Sequence, residues 1–254
     1  MIYHNGNKII KAYKGEDIIN NITDYVSGNT PTSRLPEGYT EVEYVENTTS
    51  AYTETDFYPT QNTRVVAEMQ GTDITNNPRM FGAGAWNGLA FIANVERLTS
   101  SYVYYFKYGN TTTWYHTNVQ ADTNKHKFDL NKNQYYIDDV LAGTAATTSF
   151  TMTYHLGIFN APNKTSGTGA FTLDECFKGK CYSFKVYESD VLVRDLVPCI
   201  NPSNAVGFYD VVNDTFYGSK NSYTYNAGNP VTPTGSTSES KAVFQYITDG
   251  NDVQ

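Results

Sequence analysis

The sequence predicts an all-β fold of antiparallel strands. Three observations lead there: a wealth of aromatic residues, short strand-like runs punctuated by turn residues, and no long amphipathic helical pattern. The 254 residues include 22 Tyr and 13 Phe but only 17% charged residues, and ring-bearing side chains suit a pleated, half-buried surface. Abundant Thr, Asn and Gly suit the turns between strands. Hydrophobic residues make up 39%, less than in an average globular domain, yet aromatic side chains bury large areas each, so a sizeable core is expected.

Residues 1–34 read as an arm. Tyr3-His4-Asn5-Gly6-Asn7-Lys8-Ile9 is echoed by Tyr13-Lys14-Gly15-Glu16-Asp17-Ile18, and each unit reads as strand, turn, strand. An isolated hairpin is marginal at best. The arm is therefore expected to add to another sheet, a sister chain or a partner protein, with Tyr3, Gly6, Tyr13 and Gly15 as its assembly residues; the alternative is that it packs back on its own domain as extra strands. Ser27-Gly28-Asn29-Thr30-Pro31-Thr32-Ser33 is a linker by composition.

Residues 35–229 have the size of one sandwich domain. Strand-like runs occur at Arg64-Val65-Val66-Ala67-Glu68-Met69, Tyr102-Val103-Tyr104-Tyr105-Phe106, Lys127-Phe128-Asp129-Leu130 and Tyr182-Ser183-Phe184-Lys185-Val186-Tyr187, with Gly, Asn, Asp or Ser between them. Leu156-Gly157-Ile158-Phe159-Asn160 is expected to be a later core strand. Residues 230–254 open as a polar spacer, Pro230-Val231-Thr232-Pro233-Thr234-Gly235. Ala242-Val243-Phe244-Gln245-Tyr246-Ile247 either pairs as a strand or stays a tail.

Two phrases frame the middle region: Leu35-Pro36-Glu37-Gly38-Tyr39 running into Val42-Glu43-Tyr44-Val45-Glu46, and Leu192-Val193-Arg194-Asp195-Leu196-Val197-Pro198 followed by Gly207-Phe208-Tyr209-Asp210. Together they resemble the opening and closing signatures of concanavalin A-like (laminin G-like) jelly-roll domains, common in phage virion proteins and surface proteins of gut bacteria. The likeness continues at Ala51-Tyr52-Thr53-Glu54-Thr55, at Thr215-Phe216-Tyr217 and at Asn226-Ala227-Gly228. Phe128 to Val140 is similar to the family's two-strand phrase, turning at Asn131-Lys132-Asn133. The resemblance implies a jelly-roll sandwich and says little about activity. It implies a virion structural or adhesive protein, such as a capsid decoration, head fibre or tail fibre component. Its arm would bind other virion proteins, it would form a homo-oligomer, and its domain would meet host-surface or mucus glycan. A carbohydrate-binding protein or glycan hydrolase of a gut bacterium is the alternative.

A net charge of −8 and a pI near 5.0 argue against nucleic acid as a partner, because phosphate tracking needs clustered Lys and Arg. No apolar run is long enough for a membrane helix, and the start lacks the regions of a signal peptide. The expectation is a protein made in a host cytoplasm that ends in a virion. The five Asn-x-Thr sequons, beginning with Asn21-Ile22-Thr23, matter only in a eukaryotic secretory pathway.

Three cysteines are an odd count for a disulfide framework. If Lys178-Gly179 is a two-residue hairpin turn, Cys176 and Cys181 lie opposite each other and a bridge is allowed. Otherwise they are reduced thiols packed as small hydrophobes.

Glu41-Val42-Glu43-Tyr44-Val45-Glu46 superficially resembles the Glu-x-Asp-x-x-Glu strand of laminarinase-type hydrolases, which presents its carboxylates on one face. Glu43 replaces the central Asp, and the motif stands at the start of the domain. It is read as an opening strand, so no enzyme activity is expected. The four histidines have no ligand spacing. Asp138, Asp139, Asp210 and Asp214 are weak calcium candidates, explained as well by turns, and no other cofactor is expected. Gly82-Ala83-Gly84-Ala85 lacks the ending of a phosphate loop. Sugars are held by an aromatic ring on the pyranose face plus amide hydrogen bonds, and Trp86, Asn87, Asn94, Trp114 and Tyr115 are of the right types. The alternative for each Trp is a place in the core.

Overall fold

The computed structural model describes residues 3–4, 7–14, 17–18, 34–75, 77–84, 88–111, 113–162, 175–231 and 243–246. The chain divides into two compact units: Leu35–Val231, and Met1–Arg34 together with Thr232–Gln254. All regular elements of length among the described residues are strands, paired antiparallel.

The first unit begins with β1 (Tyr3–His4), β2 (Asn7–Lys14) and β3 (Asp17–Ile18). Tyr3 pairs with Lys8 and His4 with Asn7, then Tyr13 with Ile18 and Lys14 with Asp17. In each repeat the described strands thus pair antiparallel, as a strand-turn-strand unit requires, while residues 5–6 and 15–16 between them lie outside the described residues. Gly6 and Gly15 themselves lie outside the described residues.

The larger unit is a sandwich. Its smaller sheet contains β6 (Thr53–Glu54), β8 (Arg79–Gly84), β9 (Gly88–Leu98), β10 (Ser101–Thr111), β11 (Tyr115–Gln120) and β15 (Gly157–Ile158), in the order β11-β10-β9-β8-β15-β6. The larger sheet runs through β14 (Val140–Thr144), β13 (Gln134–Ile137), β12 (Lys125–Asn131), β7 (Thr63–Asp73), β16 (Lys178–Glu188), β17 (Val191–Ile200), β18 (Val206–Asp210) and β19 (Thr215–Tyr217). Three short strands join it: β4 (Thr40–Glu41) on β17, β5 (Val45–Asn47) on β16, and β20 (Asn226–Ala227) on β5. The last strand of the chain, β21 (Val243–Tyr246), belongs to the first unit, where it pairs with β2 from Ile9↔Tyr246 to Tyr13↔Val243.

Alternation explains the sandwich. In β7, Thr63, Val65, Ala67, Met69 and Gly71 are buried while the residues between them are half-buried, the pattern of a strand with one face on the core. In β16 the inward positions slip from Cys181 to Phe184, and the register against β7 shifts between Cys181 and Ser183. A bulge there re-aims Phe184 inward. It meets Phe81 of the opposite sheet edge-on at 5.6 Å between ring centroids. Tyr104 and Phe128 do the same across the sandwich at 5.0 Å.

The two framing phrases meet. Leu35, Val197, Cys199 and Tyr209 form a second buried cluster with Tyr39 packed against it, and the Tyr39 and Tyr209 rings lie 4.8 Å apart. Gly38, at φ +86°, makes the tight turn between Pro36 and Tyr39. The Arg194-Asp195 step of the closing phrase is an ionic junction: Asp210, fully buried, accepts from the Asp195 and Val212 backbone N–H groups and from Asn213 Nδ2, and Arg194 reaches both Asp210 and Asp56.

Two readings need correction. Lys178-Gly179 is not a hairpin turn but the start of β16, so Cys176 and Cys181 do not face each other, and all three cysteines are free thiols. Cys176 instead accepts from Asn160 Nδ2 at 3.0 Å. Glu41 to Glu46 is also not one strand: the chain leaves β4 at Val42 and re-forms as β5 at Val45, with Glu41 opposite Cys199 and Glu46 opposite Lys180. Val42 is buried and drawn to Pro198 and Pro230, which splits the run and separates the carboxylates.

Candidate functional site

The outer face of the smaller sheet brings charged, amide and aromatic side chains together. Along β9, Phe91, Ala93 and Val95 enter the main core, which leaves Ala90, Ile92, Asn94 and Glu96 on the opposite face. Directly opposed residues of an antiparallel pair share a face. Arg79 faces Asn94, Asn94 faces Tyr105 and Tyr105 faces His116, so one row crosses β8, β9, β10 and β11. Lys107, opposite Ile92, stands in the next row.

Trp114 completes the face. It packs on Ala90, Ile92 and Ala161, its ring lies 5.8 Å from that of Tyr105, and Lys107 Nζ sits 5.1 Å from its centroid, within cation–π range. Tyr105 Oη and His116 Nε2 are hydrogen-bonded. Arg79 forms an ion pair with Glu175 at 2.6 Å.

Burial sets the electrostatics. Lys107 is fully buried, and desolvation, helped by the nearby Arg79 charge, brings its pKa down to about 8. Burial raises the Glu96 carboxyl above its ordinary value; Asn94 opposes that shift and Glu175 adds to it. The Asn94 carboxamide makes no well-aligned hydrogen bond among the described residues, so its hold on Glu96 is one of proximity. The Tyr105 phenol is pushed up to about 12, by burial first and by Glu96 second. The face therefore holds an ion pair, a weakened ammonium under an indole, and a carboxyl whose pKa burial raises.

The residues expected at a sugar site separate. Asn94 and Trp114 come together on this face, though Asn94 is only 1% exposed and Trp114 is half-buried. Tyr115, the next residue, points to the core: its ring stacks on Phe106 at 5.1 Å and its hydroxyl accepts from the Ala146 N–H. Trp86 and Asn87 lie outside the described residues. Arg79, Glu96, Tyr105, Lys107, His116 and Glu175 were not expected. One signal pointed to them: a lysine inside the run Tyr102–Tyr108, otherwise aromatic or apolar, has to be covered when that strand is central.

The calcium candidates fall in two separate turns. Asp138 and Asp139, both at positive φ, form the two-residue turn between β13 and β14; Asp138 binds His126 and the Lys127 N–H, and Asp139 binds Lys127 Nζ. Asp210 is consumed by the junction with Arg194, and Asp214, at φ +51°, closes the turn before β19. Among the described residues no three His, Cys, Asp or Glu side chains converge as metal ligands. No protein-family model matches the chain, and no curated protein matches it.

Proposed function

We propose that the protein is a structural or adhesive component of a phage particle, displaying a lectin-like sandwich whose outer sheet face, at Trp114, meets host-surface or mucus glycan. The observation that carries the recognition part is the convergence of Trp114 with Lys107, Tyr105, Asn94 and the Arg79–Glu175 pair. An aromatic ring bordered by amide and charged groups suits a sugar, which offers an apolar face and a rim of hydroxyls. Buried charges are costly, and clusters of perturbed groups concentrate at functional sites. The virion part is supported by the likeness of the framing phrases to concanavalin A-like domains of phage proteins, and by a strand-built unit of chain ends suited to pairing with a partner sheet. Mass spectrometry of purified particles, with copy number, tests the location; competition of particle adsorption by the free chain tests the adhesive role.

One observation favours a second reading, a glycan hydrolase. Glu96 holds its proton more tightly than usual on a face that also carries Glu175, paired with Arg79, and a carboxyl with a raised pKa is what the general acid of a glycosidic cleavage requires. Reducing sugar released from host-type polysaccharide, and lost in both Glu96→Gln and Glu175→Gln, decides for that reading.

A further inference from the structure

A cleft lies at one end of the sandwich, built from residues the outer face does not use. It has a volume of about 430 Å3 and is lined by Gln61, Asn62, Tyr108, Lys132, Asn133 and the stretch Thr147 to Ser149, a size within the range of about 300–1,000 Å3 of small-molecule sites. Its wall is pinned at both ends. At one end Ala145 donates to the Asn133 carbonyl and accepts from Asn133 Nδ2, each at 2.7 Å. At the other, Phe150 donates to Gln61 Oε1 at 3.1 Å and accepts from the Gln61 N–H at 3.2 Å. Tyr108 Oη donates to the Gln61 carbonyl, fixing that residue from the opposite sheet. Gly109, at φ +84°, lets the wall close in, because a methyl group there would collide with Thr148 Cγ2.

These clamps also orient what is left over. With Oε1 of Gln61 and Nδ2 of Asn133 engaged, Gln61 keeps its Nε2 as a donor and Asn133 its Oδ1 as an acceptor. Thr147, Thr148 and Ser149 add hydroxyls, and Asn62 adds a carboxamide, for which the described residues supply no side-chain partner. Lys132 is the lining cation, and Asp190 lies 3.2 Å from its Nζ, so the cleft has a balanced charge. Fixed donors beside fixed acceptors, with hydroxyls that can serve as either, match a neutral ligand whose own groups both donate and accept.

We infer that this cleft is a binding site for one neutral saccharide unit, separate from the Trp114 face. Tyr108 turns its ring edge-on to Phe150 at 5.0 Å and is 3% exposed, so it offers no stacking platform. Affinity therefore rests on hydrogen bonds, which places it in the millimolar range and makes it useful through repeated display.

Saturation-transfer difference NMR on the full chain with the methyl glycosides of glucose, galactose, mannose and N-acetylglucosamine tests this, with glycerol as a control for any polyol. Three variants separate the sites. The double variant Thr147→Val with Ser149→Ala removes two hydroxyls and should weaken binding roughly tenfold or more. Thr147→Trp fills the cleft from an exposed position and should abolish the signal at an unchanged melting temperature. Trp114→Ala should leave it intact. The inference is overturned if no neutral glycoside gives a signal, if glycerol gives an equal one, if the cleft variants bind as wild type, or if Trp114→Ala alone removes binding.

Discussion

His126 holds both ring nitrogens on carboxylates, Nδ1 on Asp138 at 2.6 Å and Nε2 on Asp122 at 2.9 Å. Burial alone would depress the imidazole, but the two carboxylates outweigh it and raise its pKa above 6.5. The stabilisation is complete below the unfolded pKa and disappears as pH climbs through the raised folded value. Asp122 and Asp138 are held below their ordinary value in spite of burial, so their share is present above the unfolded carboxylate pKa and is lost as pH falls through the folded one. Lys107 acts oppositely: its charge is disfavoured in the fold, and that cost is relieved as pH rises from about 8 toward 10.5. Thermal melts at about pH 6 and about pH 7, short of the Lys107 titration, isolate the histidine. Wild type should be less stable at the higher pH, and His126→Gln should flatten the difference while costing on the order of 1 kcal/mol at the lower. A second residue-scale prediction concerns Arg64, whose Nε and Nη2 bind the two oxygens of Asp129 at 2.9 and 2.6 Å. Lysine cannot reproduce that fork, so Arg64→Lys should cost about 1 kcal/mol by denaturant titration.

At the scale of the element, glycines set how closely β8 approaches β9. Gly82 sits at φ +140°, and a methyl group there would collide with the Phe91 carbonyl oxygen and the Ile92 Cα, so Gly82→Ala should be destabilising by roughly 2 kcal/mol or more. Phe184→Ala, which removes the bulge-aimed ring from Phe81, should cost about 3–5 kcal/mol. Both are read by denaturant unfolding. These elements also mark how far the sequence could be read. The β12–β13 hairpin was legible through its likeness to a family phrase that turns at Asn131-Lys132-Asn133, and the structure turns there, with Asn131 opposite Gln134 and Lys132 at the positive φ such a turn requires. The core segment at Leu156 to Asn160 was legible in burial, although only Gly157–Ile158 forms a strand. The Cys176–Cys181 turn was not, since Lys178-Gly179 has turn chemistry locally and only pairing with β5 and β7 makes it strand. The Trp114 face was half-legible: residue type pointed to Trp114 and Asn94, whereas Arg79, Tyr105 and His116 join them through cross-strand register, which a single sequence does not display.

For the whole molecule, division into two units is the organising fact. The sandwich closes its own ends, with Leu35 and Tyr39 packed on Val197 and Tyr209 and β20 paired with β5, whereas β1, β2, β3 and β21 bring the two chain ends into one sheet. Residues 35–231 expressed alone should therefore melt cooperatively, within a few degrees of the sandwich transition of the full chain, as read by calorimetry. A chain lacking only β21 should keep that transition while losing whatever assembly the chain-end sheet supports.

The central claim is glycan recognition at Trp114, and a glycan array probed with wild type and Trp114→Ala, with melting temperature measured in parallel, tests it most directly. The account predicts that wild type binds a defined set of glycans and that Trp114→Ala weakens binding by about 1–2 kcal/mol, while the variant melts at a lower temperature, because the ring packs on Ala90, Ile92 and Ala161, but stays cooperatively folded at the assay temperature. Unchanged binding in the variant, or no binding by wild type to any glycan, contradicts it.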